Sequence, residues 1–83
     1  MKPTFLELRH LRTLLALKET GSVSMAAKRV YLTQSALSHQ IKLMEEQFGL
    51  PLFERKSNPL RFTAAGDRLI RLANEILPKV VDA

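Results

Sequence analysis

Cysteine is missing from these 83 residues, and that absence removes two options at once. No disulfide can staple the fold, and no thiolate can hold a metal ion. A reducing, cytoplasmic setting is the expectation. Long apolar runs are missing too: nothing approaches about eighteen consecutive apolar residues, so no membrane-spanning helix is expected. Arg9, Arg12 and Lys18 interrupt the Leu-rich N-terminal region, which argues against a signal peptide. Glycine is scarce. Its three copies, at 21, 49 and 66, are too scattered to form a phosphate-binding loop. The two histidines, His10 and His39, fall in separate segments with no acidic partner at metal-ligand spacing, and Asp67 and Asp82 stand alone. No Ser or Thr has an evident general base nearby in sequence. No catalytic residue, metal ligand or cofactor is therefore expected, and the chain is not read as an enzyme.

What is present fits one small domain. Hydrophobic residues make up 46% of the chain, enough for one compact core, although a domain of this size is marginally stable alone. The net charge is +5, unevenly spread. Residues 1–48 carry seven Lys/Arg against four Glu, residues 49–62 three against one, and residues 63–83 three of each sign. A positive excess confined to the first three-quarters of the chain suits a polyanionic partner, nucleic acid being the commonest.

Turn signals divide the chain into five pieces. Leu8, Leu11, Leu14 and Leu15 recur at helical spacing and predict a helix over 5–20. Thr4 and Glu7 stand at capping-box separation, and Gly21 can end the helix. Ser22 caps a short second helix with an inner stripe of Val23, Ala26, Ala27 and Val30. After a tight turn, Thr33 caps a third helix, 33–48, whose apolar arc is Leu37, Ile41, Met44 and Phe48. Gly49 and Pro51 stop it. Leu52–Arg55 and Leu60–Thr63 are short strand candidates around Ser57, Asn58 and Pro59; such a hairpin must lean on the helices. Thr63 then caps a last helix with two apolar stripes, Leu69, Leu72, Ile76, Val80 and Ile70, Leu77, Val81. Pro78 removes one backbone bond there and predicts a kink near Asn74, at a cost of about 3 kcal/mol in an interior position. The fold class is mainly α with a small β-hairpin.

Two helices joined by a tight turn with small residues inside make a helix-turn-helix, and a hairpin after it makes the winged form. The outward side of the third helix carries Gln34, Ser35, Ser38, His39 and Lys42 rather than a Lys/Glu mixture. Short side chains that donate and accept suit base edges in a DNA major groove. Gln34, Ser35, Ser38 and His39 are thus candidate base readers. Ser22, Thr33 and Lys42 are candidate phosphate contacts, because a helix N-terminus and a cation both favour an anion. Arg55, Lys56 and Arg61 lie on or beside the hairpin tip, placed for phosphate or minor groove. The competing reading is a solvated polar face, with the hairpin cations guarding a free strand edge. The last helix is charge-balanced and has more apolar surface than one small domain covers. Leu69, Leu72, Ala73, Ile76 and Val80 are candidates for an interface with a second copy. A protein-docking module on the same scaffold, with no DNA role, is the alternative function.

The stretch GSVSMAAKRVYLTQSALSHQIKLMEEQFGLPLFERKSNPLRFTAAGDRL resembles the N-terminal DNA-binding domain of LysR-type bacterial transcriptional regulators. The likeness runs from about Leu8 to the end of the chain. It rests on Gly21-Ser22, Ala26-Ala27, Gln34-Ser35-Ala36-Leu37-Ser38, Gln40-Ile41, Glu45, Gly49, Leu52-Phe53, Arg55 and Thr63-x-Ala65-Gly66. The resemblance implies a winged helix-turn-helix over 1–62 and a long linker helix over 63–83 that forms a homodimer. It implies double-stranded operator DNA with dyad-like half-sites as the partner, base contacts by Gln34, Ser35, Ser38 and His39, and a wing contact by Arg55. Tetramers are open to the intact protein. The family's C-terminal effector domain is absent from this chain, so any small-molecule effector would act only through that domain. Asn58 stands where a second wing arginine is frequent, His39 where arginine is common, and Tyr31 where a smaller or polar residue is usual. Within the family, TQSALSHQ, RKSNPLRFT and LANEILP look most like the regulators of methionine biosynthesis.

Overall fold

The computed structural model describes residues 7–54 and 59–82, with side chains described up to residue 79. Four helices follow in order: α1 (Leu8–Thr20), α2 (Val23–Arg29), α3 (Gln34–Phe48) and α4 (Ala64–Asp82). α1 packs against both α2 and α4, and α2 against α3.

The first helix starts later than its leucine spacing predicts. Glu7 is extended (φ −92°, ψ 156°) and precedes the helix as its N-cap, so it cannot be the third residue of a helix begun by Thr4, which lies outside the described residues. His10 takes up the capping role: its Nδ1 accepts the Glu7 N–H at 3.3 Å. The buried face of α1 is Leu11, Thr13, Leu14, Ala16 and Leu17, while Leu8 is exposed. Thr13 is buried yet satisfied, its hydroxyl donating to the Arg9 carbonyl at 3.0 Å. Gly21 ends the helix in the left-handed region (φ 67°), donating its N–H to the Leu17 carbonyl at 2.8 Å.

Ser22 caps α2 as expected, its hydroxyl accepting the Met25 N–H at 3.3 Å. Ala26 and Ala27 are both buried, and their small size lets α1 and α3 close around this short helix. The far end of α2 is less usual. Leu32 N–H donates to the Ala27 carbonyl (2.8 Å) and Tyr31 N–H to the Lys28 carbonyl (3.3 Å). Those paired bonds form a Schellman ending, whose left-handed residue is most often glycine. Here it is Tyr31, at φ 60° and 94% exposed. A side chain in this conformation costs about 1–2 kcal/mol, of which a glycine's extra freedom in the unfolded chain gives back about 0.4–1 kcal/mol. Tyr31→Gly is therefore expected to stabilise the domain, by about 0.5–1 kcal/mol on these figures. A lower thermal midpoint for the variant would show that the ring contributes to stability after all.

Thr33 caps α3, accepting the Ala36 N–H at 3.0 Å, and Gly49 (φ 67°) ends it. Leu37 and Met44 are fully buried, with Ile41 packed against them and Phe48 half-buried. Glu45 reaches forward, and its carboxylate accepts the Leu52 N–H at 2.7 Å. The segment after α3 is thereby tied to the helix itself.

The expected hairpin of Leu52–Arg55 and Leu60–Thr63 is corrected. Among the described residues it is reduced to a single antiparallel bridge between Phe53 and Phe62. Their rings sit 4.7 Å apart, centre to centre, and Glu54 N–H donates to the Arg61 carbonyl at 3.0 Å. Pro59 has no N–H to donate, and the Leu60 N–H points away from the partner arm to the Gly21 carbonyl (3.1 Å). The returning arm thus bonds to the α1–α2 corner as well as to its own partner. Ser57 and Asn58, placed at the tip in the sequence reading, lie outside the described residues.

Thr63 ties the arm to α4. Its hydroxyl donates to the Pro51 carbonyl (2.6 Å) and accepts the Gly66 N–H (3.2 Å), and its own N–H donates to the Leu52 carbonyl (3.0 Å). α4 sorts its two apolar stripes by burial. Ile70, Ala73 and Leu77 are buried in the core, whereas Leu69, Leu72 and Ile76 are half-buried. Ala73 was expected at an interface between copies. It is instead completely buried, because it falls between Ile70 and Leu77 on the inward side, and no surface of it remains for a second chain. The side chains of Val80 and Val81 lie outside the described residues. The helix continues through Pro78 to Asp82, so the proline does not end it.

Candidate nucleic-acid interface

The capped N-terminus of α3 and its outward side form one continuous polar surface. Thr33, Gln34, Ser35, Ser38, His39 and Lys42 are all exposed. At about 100° per residue, Ser35, Ser38, His39 and Lys42 fall within roughly 100° of arc, with Gln34 on the first turn beside them. The buried Leu37 and Met44 hold the opposite side. Among the described residues, Gln34, Ser35, Ser38, His39 and Lys42 make no side-chain hydrogen bond or ion pair within the chain. Their donors and acceptors are therefore open to an external partner.

The remaining expected contacts are arranged less uniformly. Ser22 is half-buried; its hydroxyl serves the Met25 N–H and lies 3.1 Å from the Ser24 hydroxyl. Arg61 is exposed at the end of the arm. Arg55 and Lys56 lie outside the described residues. His10 stands away from this surface at the start of α1. Burial lowers its pKa; Glu7 opposes that and Arg9 adds to it. Three or more His, Cys, Asp or Glu in metal-binding proximity do not occur among the described residues. No described helix is long and apolar enough to cross a membrane.

The structural roles of two residues beside this surface escaped the sequence reading. Tyr31 projects from the turn immediately before Thr33, and only the absence of glycine from so tight a turn signals its backbone conformation. Glu45 fixes where the chain leaves α3. Its signal was one of two adjacent glutamates, Glu45 and Glu46, on the flank of the apolar arc, indistinguishable from a solvated charge.

Comparison with known proteins identifies the arrangement. Residues 8–67 match the family described as bacterial regulatory helix-turn-helix protein, lysR family. The chain is 89% identical over 83 residues to the HTH-type transcriptional regulator MetR of Haemophilus influenzae, covering all of this chain and 27% of that protein. It is 50% identical over 78 residues to MetR of Escherichia coli (strain K12), covering 94% of this chain and 25% of that protein. The chain thus spans about a quarter of the length of these relatives. Among solved structures, the BenM DNA-binding domain in complex with benA site 1 DNA superposes with a TM-score of 0.87 at 38% identity, covering 93% of this chain and 86% of that one. The complex of the CbnR DNA-binding domain with DNA gives 0.83 at 31% identity, covering 93% and 88%. The chain belongs to the lysR family of bacterial regulatory helix-turn-helix proteins, and its helices form that family's DNA-binding domain.

Proposed function

We propose that this domain binds double-stranded operator DNA sequence-specifically as a homodimer, with α3 in the major groove. The observation that carries this reading is the set of exposed side chains on α3 that bond to nothing within the chain. Gln34 pairs with adenine edges, Ser35 and Ser38 suit several edges, and His39 donates to guanine. Thr33, Lys42 and Ser22 hold phosphates at the helix N-terminus and flank. Arg55, Lys56 and Arg61 form the wing, on phosphates or in the adjoining minor groove. Residues 1–62 act as the winged reading head and 63–83 as the linker helix. The protein works in the cytoplasm as a regulator rather than as an enzyme. The kinship with the MetR relatives supports the role of a transcriptional regulator.

Selection of bound duplexes from a random pool tests the reading. Two half-sites in inverted repeat are expected, about one helical turn or a multiple of it apart. Gln34→Ala or His39→Ala should then change which base is preferred, by about 1–3 kcal/mol for each lost contact. Equal weakening on every sequence would reassign those side chains to phosphate. Failure to retain any duplex at low salt ends the proposal.

Pairing of two copies is assigned to Leu69, Leu72 and Ile76, with Val80 continuing the row. Leu69, Leu72 and Ile76 are the large apolar residues that α4 leaves half-buried among the described side chains. Leu72→Asp combined with Ile76→Asp is expected to give monomers in sedimentation while the fold persists. An unchanged dimer would place the interface elsewhere.

A further inference from the structure

Behind the reading surface, α1, the end of α2 and the flank of α3 enclose an open cleft of about 440 Å³. It is lined by Arg9, Arg12, Thr13, Arg29, Val30, Tyr31, Leu32 and Gln40. Three guanidinium groups stand around a floor of Val30 and Leu32. Arg9 is paired with Glu7 (2.7 Å) and Arg29 with Glu19 (3.1 Å), whereas Arg12 has no ion-pair partner among the described residues. The Gln40 side-chain oxygen is buried and accepts no hydrogen bond. The cleft continues into a second groove of about 290 Å³ through shared Arg12, Arg29 and Val30. That groove adds Leu15, Ala16 and Leu77 from α1 and α4, with Glu19 at its edge.

The cleft points away from the proposed DNA contact. At about 100° per residue, Gln40 lies about 100° or more around α3 from each of Gln34, Ser35, Ser38, His39 and Lys42. A duplex held by those side chains leaves the cleft open. Tyr31 borders it with an exposed ring, in a backbone conformation that glycine would adopt at lower cost.

We propose that this cleft docks an acidic, leucine-bearing peptide segment of a partner protein while the domain is on DNA. Carboxylates of the segment pair with Arg12 and its neighbours, where a guanidinium fork fits a carboxylate in two bonds. A leucine enters the apolar continuation toward Leu15 and Leu77. Charge complementarity and the groove's continuation select this occupant over a phosphate, which has no use for the apolar end.

Fluorescence anisotropy with a labelled peptide of Asp, Glu and Leu tests this. Saturable binding at low salt is expected, lost when Asn and Gln replace the acids. Arg12→Glu, an exposed substitution, should weaken it about tenfold or more, as loss of a charge-assisted pair does. Tyr31→Gly, expected to preserve the fold, should also weaken it. Adding a saturating random-sequence duplex should leave peptide affinity within about twofold, because the two surfaces are separate. No peptide binding, or binding indifferent to Arg12→Glu, overturns the proposal. So does displacement of the peptide by duplex together with an equal loss of duplex affinity in Arg12→Glu, which would make the cleft a DNA-backbone site. Peptide binding is measured without DNA first, so a failed operator selection and a failed docking site remain distinguishable.

Discussion

Raising salt from about 50 to about 200 mM should weaken operator binding by about four orders of magnitude if two copies engage the duplex, and by about two if only one does. The difference follows from counting cations. Lys42, Arg55, Lys56 and Arg61 are the side chains assigned to phosphates or minor groove in each copy, and each neutralised phosphate contributes about −0.9 to the slope of log K against log salt. One copy gives a slope near −4 and a pair a slope near −7. Exposed Lys42 offers a direct check: Lys42→Ala should reduce the slope by about one per copy without changing the preferred sequence. Binding that ignores salt would contradict the proposed role of the basic surface altogether, and would favour the apolar residues of α4 as the contact instead. The same titration thus reports partner class and copy number together.

Gly66→Ala should destabilise the domain by about 1–3 kcal/mol, and toward the upper end of that range. Elsewhere in a helix the same change would gain about 1 kcal/mol, since alanine is the better helix former. Here a Cβ on Gly66 would fall inside van der Waals distance of the Leu52 carbonyl oxygen, and would press on the Phe62 ring at 3.1 Å. The ring can shift; the carbonyl cannot easily. Leu52 is fully buried, its N–H is held by Glu45 and its oxygen accepts the Thr63 N–H. For a domain this size, each kcal/mol lowers the thermal midpoint by about 4–8 °C, so a drop of about 10–20 °C is expected in a calorimetric scan. A variant as stable as the parent would mean that the arm moves aside at little cost, and that the contact does not bind α4 to the rest.

The helix boundaries that were legible in the sequence are those set by local chemistry. Ser22 and Thr33 bond to backbone N–H groups three residues on, and Gly21 and Gly49 take left-handed backbone; each effect is decided within one turn of chain. The outward polar face of α3 was legible for the same reason, since Leu37 and Met44 fix which side of α3 is inward. Features decided by distant residues were not. The returning arm crosses the α1–α2 corner, where the Leu60 N–H bonds to Gly21, and nothing local in its sequence shows that. Ala73 is small and apolar, and so fits either a core or an interface; only the position of α1 assigns it. Tyr31 is a residue that ordinarily avoids left-handed backbone, so its identity hid the bonds to the Ala27 and Lys28 carbonyls that impose it. The role of Gln40 depends on how α1 and α2 close around it, which no spacing in α3 reveals.

The bonded junction among Glu45, Leu52, Thr63 and Gly66 leaves the reading head without a loose joint to α4. A helix of 19 residues is a lever arm of about 28 Å, and tilting it by about 10° sweeps its far end through about 5 Å. That travel exceeds the rise of one base pair, about 3.4 Å. In the proposed dimer, with two such levers paired through Leu72 and Ile76, a small change in the angle between them would bring the heads into or out of step with a fixed pair of half-sites.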